Sequence, residues 1–444
     1  MRLRGSLRSL HLVALGCPKN RVDAEVCAGL ACELGLEIVP SPEEADAIVV
    51  YTCGFIEPAK RESIDVLLEL ARLRTEGRCR LLVSASCLSQ RYARDLAREL
   101  PEVDLFVGTQ EPRWLERVLA GELSRVEVGP AGHFLQRHGT PRMLEPGAAS
   151  AYLKIADGCS RRCAFCAIPA IRGPMRSRPI GEIVDEAREL TRRGVLELVL
   201  VSQDTAAYGR DLDRGASLVD LMRALDRVPG LRWVRPLYLY PDGVDDELLG
   251  ALVDLRSAVP YLDVPIQHAS ARMLRRMRRG HGPGRLRGLL ERARDLAPEL
   301  FLRTTVLVGH PGESAEDFAD LLRFVERARF HHLGAFRYSD EEGTPAFEGR
   351  PAVTPRDSYN RQRRVLAVQR RISRARNREL LGRELEVLVE RPADESGYVM
   401  VGRHAGQAPE IDGVTYLVSC PVPPGEIVRA RAIRAGDFDL VAEP

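Results

Sequence analysis

A run of three closely spaced cysteines is the feature that most constrains this chain. In the stretch YLKIADGCSRRCAFCAIP, Cys159, Cys163 and Cys166 follow an apolar strand at spacings of four and three residues. Three thiolates on one short loop can ligate three irons of a 4Fe–4S cube and leave the fourth iron without a protein ligand. A Gly, a Ser and two Arg lie among these thiols, which makes the segment a poor core element. We therefore interpret it as a cluster loop rather than as buried structural thiols.

Two other metal sites are possible for cysteines at short spacing. A structural zinc site closes with four ligands, often as two CxxC pairs, and no fourth Cys or His follows this loop at such a distance. A ferredoxin-type run has two residues between successive cysteines throughout and a fourth Cys before Pro. Neither pattern fits the loop.

Length and composition indicate a globular protein of two or three domains. The chain has 444 residues, 45% of them hydrophobic and 29% charged, and its formal net charge is +2. No apolar run is long enough to span a bilayer, and the N-terminus is typical of a short basic lead into a strand rather than a signal peptide. We expect no membrane association and a cytoplasmic location. Ten cysteines, six of them in spaced triplets, then favour reduced thiols that bind metal over disulfides.

A second set of three cysteines lies at the ends of apolar strands in the first 130 residues. HLVALGC ends at Cys17, AIVVYTC at Cys53 and RLLVSASC at Cys87, and a helical stretch follows each. Strands that alternate with helices predict a parallel sheet, whose carboxyl ends gather along one edge. The three thiols are therefore predicted to converge and to hold a second cluster with one open iron. The other thiols are predicted to be packing residues: Cys27, Cys32, Cys79 and Cys420.

The CxxxCxxC loop, with Phe165 before its last cysteine, resembles the signature of radical S-adenosylmethionine (SAM) enzymes. The resemblance implies that SAM binds the open iron and that one electron cleaves it to a 5'-deoxyadenosyl radical, which abstracts hydrogen from carbon. It also implies that the backbone of Phe165 meets the adenine of SAM, although a packing role for the ring stays open.

The pairing of an N-terminal cysteine triplet with a radical-SAM triplet resembles the methylthiotransferases over essentially the whole chain. These enzymes replace a C–H bond by C–S–CH3, and the resemblance implies two 4Fe–4S clusters and SAM as cofactors. The tRNA-modifying branch typically has GCQMN where this chain has GCPKN, from Gly16 to Asn20. Segments similar to the branch that modifies an aspartate of small-subunit ribosomal protein twelve are SLHLVALGCPKNRVDAE, YTCGFIEPAK, SASCLSQRY, VSQDTAAYG and GQAPEIDG.

The central region carries six candidate strands with amphipathic stretches between them, which favours an incomplete TIM-type (β/α)6 barrel. The strands are YLKIAD, LELVLVSQ, VRPLYLY, LDVPIQ, RTTVLVG and GAFRYS. VGHPGES resembles the family's glycine-containing loop near the SAM adenosine, where missing side chains allow close backbone approach. A lone His at a strand end is more often structural, so roles in ligand contact for His268 and His310 stay open. We expect the residues around SAM to be Gln203, Asp204, Tyr240, Gln267, His268, Gly309, Gly312 and Glu313.

The C-terminal region combines a basic helix with an acidic module of short strands. Residues 354–382 predict a long helix with nine Arg and a net charge of +7. LEVLVE, YVMVGR, GVTYLV and IVRARAI then predict a small β-barrel, whose placement resembles a TRAM domain, a module that usually binds RNA. Residues 383–444 carry a net charge of −5, which suits a basic protein better than phosphate.

These features predict an α/β protein of several domains. The expected ranges are an N-terminal domain over 1–130, a radical-SAM core over 148–350, a linker helix over 351–380 and a TRAM-like barrel over 381–444. The resemblance to the methylthiotransferases implies insertion of a methylthio group at the β-carbon of an aspartate in the basic ribosomal protein. We expect an electron donor such as flavodoxin or ferredoxin, and we expect nucleic acid not to be the main partner. Two alternatives stay open: a tRNA adenosine methylthiotransferase, and a two-cluster electron carrier, which would leave the large central domain without a purpose.

Overall fold

The chain folds into two compact units. The computed structural model describes residues 7–110, 112–122, 124–132, 134–137, 139–213, 215–347 and 353–444. The first unit contains the described residues of 7–144 with Lys154–Arg178 and Ser339–Phe347, and the second contains Glu145–Leu153, Pro179–Tyr338 and 353–444. Both cysteine triplets therefore lie in the first unit. Among the described residues, none of the helices combines the length and the apolar character that crossing a membrane requires.

The first unit is built on a parallel six-stranded sheet with the order β2-β1-β3-β4-β5-β6. Every position of β3 and β4 is buried because helices cover both faces, as parallel sheets require. The strands are β1 Ser9–Ala14, β2 Glu37–Ile38, β3 Ala47–Thr52, β4 Leu81–Ser86, β5 Leu105–Val107 and β6 Val126–Glu127. The helices are α1 Pro18–Glu33, α2 Glu57–Ala71, α3 Leu73–Glu76, α4 Cys87–Glu99 and α5 Trp114–Leu119.

The strand order brings the three predicted cysteine positions to one edge. Strands β1, β3 and β4 are direct neighbours, and Cys17, Cys53 and Cys87 follow them at their carboxyl ends. Pro18 is the first residue of α1, a position that does not need its missing N–H. The parallel sheet and its cysteine-bearing edge, both predicted from the sequence, are confirmed.

The central region contains all six predicted strands, in two three-stranded sheets with the orders β11-β10-β7 and β12-β13-β14. One isolated bridge, Val234 to Ala258, joins the region of β11 to that of β12. Regular strand pairing between β11 and β12 is interrupted here, because Pro236 has no N–H to donate and Tyr238 adopts a φ of +62°. Asp263 Oδ2 instead accepts from the backbone N of Tyr238 at 2.9 Å. The bounds are β7 Ser150–Lys154, β10 Glu197–Val201, β11 Trp233–Pro236, β12 Tyr261–Asp263, β13 Phe301–Val308 and β14 His332–Arg337.

A short antiparallel pair closes the base of the CxxxCxxC loop in the first unit. It consists of β8 Ala156–Asp157 and β9 Arg176–Ser177, and the loop between them ends in the short helix α6 Ile168–Arg172. The remaining helices of the central region belong to the second unit. They are α7 Ile180–Arg192, α8 Leu218–Leu225, α9 Asp246–Asp254, α10 Ala271–Arg276, α11 Pro283–Leu296 and α12 Ala315–Ala328.

The C-terminal region is a long helix followed by a closed barrel. Helix α13 spans Pro355–Arg378, and the barrel order is β15-β16-β17-β19-β18. The four predicted strands are present, and a fifth that the sequence analysis missed closes the barrel. The strands are β15 Glu384–Pro392, β16 Met400–His404, β17 Thr415–Leu417, β18 Ile427–Ala435 and β19 Leu440–Glu443.

Buried ion pairs attach this barrel to the central strands within the second unit. Glu197, at the start of β10, accepts from Arg235 Nε at 2.8 Å and from Arg403 Nη2 at 2.6 Å. Burial alone would raise the pKa of Glu197, but Arg403 and Arg235 together lower it to about 2. Asp412, in the segment GQAPEIDG, accepts from Arg303 Nε at 3.3 Å. The segment therefore fixes the barrel to the strands.

We expect Glu197→Gln to destabilise the second unit strongly, because it leaves two buried guanidinium groups without their full partner. Breaking a buried pair in this way costs about 3 kcal/mol or more. The wild-type pair contributes stability above the ordinary Glu pKa of 4.5, and this contribution is lost as pH falls toward the folded pKa of about 2. Urea unfolding at pH 7 and at pH 3 should therefore show a larger difference between the two pH values for the wild type than for the variant.

The exposed pair between Glu384 and Arg429 provides the control, since its side chains are 61% and 73% exposed. Glu384→Gln should leave the urea midpoint almost unchanged. An equal loss of stability in the two variants would contradict the structural role of the Glu197 pair.

Candidate functional site

The three loops at the strand ends of the first unit touch one another. A Cβ added at Gly16 would lie 2.5 Å from Cys53 Cβ, and one added at Gly54 would lie 2.7 Å from the carbonyl oxygen of Cys87. Glycine at both positions is what allows the backbones to approach this closely. The loops that carry Cys17, Cys53 and Cys87, here called the N-terminal trio, therefore form one continuous surface.

The thiols of the N-terminal trio also interact electrostatically. Burial, followed by the neighbouring Cys87 and Cys17, raises the pKa of Cys53 to about 12. Cys53 and Cys87 are buried, whereas Cys17 is partly exposed. In the metal-free protein Cys53 is therefore a neutral thiol, and metal binding there must release its proton.

The second set, Cys159, Cys163 and Cys166, is called here the loop trio. Gly158 adopts a φ of +82°, and a Cβ there would lie 2.0 Å from the carbonyl oxygen of Pro174. The backbone N of Cys159 donates to the carbonyl of Gly173 at 3.0 Å, so the two ends of the loop are held together. Cys166 N donates to the Cys163 carbonyl at 3.2 Å and forms a turn. Cys163, Phe165 and Cys166 stay partly exposed, as ligand contact would require.

Helix α6 connects the two trios inside the first unit. It begins two residues after Cys166, and its Ile171 packs with Ala167 against Cys87. The Nε of Arg172, its last residue, donates to the Sγ of Cys87 at 3.4 Å. The loop trio and the N-terminal trio are thus joined by direct contacts through α6.

A buried group of four charged side chains lies where α1, α6 and the start of the loop meet. This charge quartet consists of Asp23, Lys154, Asp157 and Arg172, and each is less than a tenth exposed. Lys154 Nζ donates to Asp23 Oδ1, while Arg172 Nη1 donates to Asp157 Oδ2 at 3.0 Å. Burial alone would lower the pKa of Arg172, but Asp157, Cys87 and Asp23 raise it above its ordinary value. Two cations and two carboxylates leave the group neutral overall.

Asn20, the last residue of the GCPKN segment, connects this quartet to the strand ends. Its Nδ2 donates to the carbonyls of Leu15 and Thr52 at 2.9 and 3.0 Å, and its Oδ1 accepts from Arg172 Nη2 at 2.8 Å. The sequence analysis singled out the segment but missed the quartet. The spacing of Asn20 and Asp23, one turn apart on α1 just after Cys17, is the local signal that could have indicated it.

The segment Ser339–Phe347, called here the strap, also contacts both cysteine-bearing regions of the first unit. Glu341 is buried and accepts from Lys60 Nζ at 3.1 Å and from Arg91 Nη1 at 2.7 Å. Arg91 Nη1 also donates to the carbonyl of Gly54 at 2.7 Å, next to Cys53. Ala346 N donates to the carbonyl of Ala164, within the loop trio, at 2.9 Å. No local sequence pattern indicates this arrangement, because the partners are far apart in the chain.

The residues predicted to surround SAM on the barrel strands lie in the second unit. His268 is fully buried, with Nε2 3.3 Å from Glu313 Oε1, and Arg361 Nη1 lies 3.0 Å from Glu313 Oε2. Gln267 adopts a φ of +68° beside β13, a conformation that costs energy outside glycine. Asp204 is buried just after β10, next to the partly buried Gln203. Their contact with SAM stays a prediction.

The glycine loop and the rings of Tyr240 and His310 have contacts within the chain itself. A Cβ at Gly309 would lie 2.3 Å from Ser358 Oγ, and one at Gly312 would lie 2.8 Å from the guanidinium of Arg276. These glycines therefore make room for side chains of α13 and α10, a reason that the sequence analysis did not foresee. Tyr240 has the guanidinium of Arg279 3.9 Å above its ring, and burial lowers the pKa of His310 to about 4.

The remaining cysteines follow the packing prediction only in part. Cys27 and Cys79 are buried, and burial raises the pKa of the Cys27 thiol to about 12. Cys420 is partly buried. Cys32 is exposed near the end of α1, with its Sγ 3.8 Å from Met143 Sδ, so the prediction is wrong for this residue.

The donor chemistry of the two trios suits iron–sulfur clusters. No group of three or more His, Cys, Asp or Glu among the described residues is arranged to hold a single metal ion. A cube makes a different demand, because each thiolate binds a different iron. Three converging thiols with a cation beside one sulfur, in a buried setting, fit that demand at the N-terminal trio. At the loop trio, a loop with three thiols that begins after Gly158 and is closed by the bond from Cys159 N to the Gly173 carbonyl fits the same demand.

Comparisons with known proteins assign families to the three regions. The radical SAM superfamily matches residues 153–325, an uncharacterized protein family, UPF0004, matches 9–108, and the TRAM domain matches 381–444. The ribosomal protein uS12 methylthiotransferase RimO of Sorangium cellulosum is 50% identical over 99% of this chain and 91% of its own length. The protein of the same name from Anaeromyxobacter sp. strain K is 49% identical over 97% of this chain and 92% of its own length.

A solved structure supports the fold. The radical S-adenosylmethionine methyltransferase TsrM of Kitasatospora setae, solved with cobalamin and a 4Fe–4S cluster bound, aligns with a TM-score of 0.56 over 77% of each chain. Its sequence identity is 16%, so the likeness concerns the fold alone.

The close approach of Gly16 to Cys53 yields a test of the N-terminal trio. We expect Gly16→Ala to lose the iron held there, because the new Cβ would force the Cys17 and Cys53 loops apart. Gly35→Ala is the matched control, since Gly35 also has a positive φ, +81°, but has nothing within 4 Å of an added Cβ. Iron and sulfide content after anaerobic reconstitution measures the effect. Full iron content in Gly16→Ala would show that the three loops need not converge to bind metal.

Proposed function

We propose how the two cysteine trios share one reaction, on the premise that this chain belongs to the family of ribosomal protein uS12 methylthiotransferases named RimO. The chain is a radical-SAM methylthiotransferase, and SAM and a 4Fe–4S cluster are its family's cofactors. The 50% identity over 99% of the chain carries this conclusion. The proposed substrate is uS12, and the proposed site of modification is the β-carbon of an aspartate.

The division of labour follows from the two sets of thiols. Cys159, Cys163 and Cys166 would hold the cluster that binds SAM, and Cys17, Cys53 and Cys87 would hold a second cluster. When bound, the first cluster with SAM supplies hydrogen abstraction by a radical, and the second supplies an iron where the sulfur group is held. The direct contact of α6 with Cys87 supports a reaction that uses both sites.

The chain's own residues provide the surroundings that such a reaction needs. Ala167 and Ile171 pack on Cys87 and keep water from that side of the N-terminal trio. Asp23 and Asp157 are both engaged with Arg172 and do not have to act as bases. Abstraction of a hydrogen atom requires no general base of matched pKa, in agreement with this arrangement. The electron is proposed to come from a flavodoxin or ferredoxin.

The charge of the C-terminal barrel supports a protein substrate. Arg403 and Asp412 are buried in ion pairs with Glu197 and Arg303. Their own charges sum to zero, so the other side chains of residues 383–444 carry the net charge of −5. Binding of RNA phosphates depends on a dense set of cations. An acidic barrel instead complements a basic protein such as a ribosomal protein.

Single cysteine variants separate the two proposed sites. Cys163→Ala should abolish cleavage of SAM, whereas Cys53→Ala should keep formation of 5'-deoxyadenosine and block methylthio transfer. Both products are measured by chromatography and mass spectrometry with purified uS12. The exposed Cys32, changed to Ala, provides the control and should keep both activities. Methylthio transfer by the Cys53 variant would refute the division of labour.

A bacterial strain from which the gene for this protein has been deleted distinguishes the protein substrate from tRNA. Mass spectrometry should show that uS12 from this strain loses the mass of a methylthio group, whereas the modified adenosine of bulk tRNA persists. The opposite pattern would establish tRNA as the substrate.

A further inference from the structure

The side chain of Arg172 joins the charge quartet to a sulfur of the N-terminal trio through its contact with Cys87 Sγ. We propose that Arg172 is a positioning residue that sets the reduction potential of the cluster on Cys17, Cys53 and Cys87 and fixes that cluster relative to the loop trio. This inference rests on the proposed function, because it requires a cluster at the N-terminal trio.

The guanidinium is held in one orientation by its partners. Its Nη1 donates to Asp23 Oδ2 at 3.1 Å and to Asp157 Oδ2 at 3.0 Å, and its Nη2 donates to Asn20 Oδ1 at 2.8 Å. These partners lie on two segments, α1 and β8, and orient a rigid, planar group. Its Nε then donates to Cys87 Sγ at 3.4 Å. Arg172 is 2% exposed, so water cannot replace these partners easily.

The contact between Arg172 and Cys87 Sγ affects the reduction potential of a cluster bound there. A donor and a positive charge next to a cluster thiolate stabilise the reduced, more negative state of the cluster. Burial strengthens the effect because the local dielectric is low. Although the quartet is neutral overall, Arg172 is the member that contacts Cys87. The field at that sulfur is therefore dominated by the guanidinium and opposed by the carboxylates behind it.

The same residue also determines the relative position of the two trios. Arg172 ends the helix that starts two residues after Cys166, and Asp157 lies two residues before Cys159. Its bonds therefore connect both ends of the loop trio to Cys87 and to α1. Arg172 therefore links the two trios by hydrogen bonds, beside the packing of Ala167 and Ile171 on Cys87.

The test uses full-length protein in which Cys159, Cys163 and Cys166 are changed to Ala, so that only the N-terminal cluster can form. Anaerobic redox titration followed by electron paramagnetic resonance gives the midpoint potential, and iron content is measured in parallel. Arg172→Met should shift the potential to more negative values, and Arg172→Lys should shift it less in the same direction. Asp157→Asn should shift it the opposite way, because it removes a negative charge from the quartet. Arg162→Met, which removes an exposed charge from the same loop, is the control and should cause no shift.

Opposite shifts for the Arg172 and Asp157 variants would support the inference, since a purely structural role predicts no such pair of signs. Unchanged potentials, or shifts in one direction for both, would overturn it while leaving the proposed cluster intact. If Arg172→Met fails to fold, Arg172→Lys and Asp157→Asn decide the matter. If the parent protein with three alanines binds no iron, the proposed function itself fails, and the inference fails with it.

Discussion

The burial of the Arg172 guanidinium next to the thiols is the interaction on which the site depends. A buried charge is costly unless oppositely charged and hydrogen-bonding partners surround it. Asp23 and Asp157 supply the charges, Asn20 Oδ1 and Ser86 Oγ accept from Nη2, and Cys87 Sγ accepts from Nε. Because these partners come from α1 and from the start of the cysteine loop, neutralising one cation also assembles the two cysteine-bearing regions. Stability and the geometry of the site therefore have the same physical origin.

The second unit uses the same principle for a different purpose. Glu197 is paired with Arg235 and Arg403, and Asp412 is paired with Arg303. These pairs hold the C-terminal barrel against the amino-terminal ends of the central strands, the end of a barrel that usually serves stability. The GQAPEIDG segment, whose sequence resembles one branch of the family, contributes Asp412 to this attachment. Its described contacts are structural.

Several parts of the site could be predicted from local sequence. The apolar strands and their terminal cysteines follow a repeating pattern, and the order of parallel strands then brings the thiols to one edge. The reason for the glycines was not predictable in the same way. Gly309 and Gly312 make room for Ser358 and for Arg276, residues that lie far away in the chain. The fifth strand of the barrel was missed because Leu440–Glu443 is short and follows a turn.

The sequence by itself determined the radical-SAM family of this protein, because the type and spacing of the cysteines within one loop are local properties that can be read directly along the chain. Cys159, Cys163 and Cys166 required no fold to be recognised. Only the tertiary structure decided which charges neutralise one another: Arg172 meets Asp23 across 149 residues of chain and Cys87 across 85. Such pairings depend on how helices pack on a sheet, and no periodicity in the sequence encodes them.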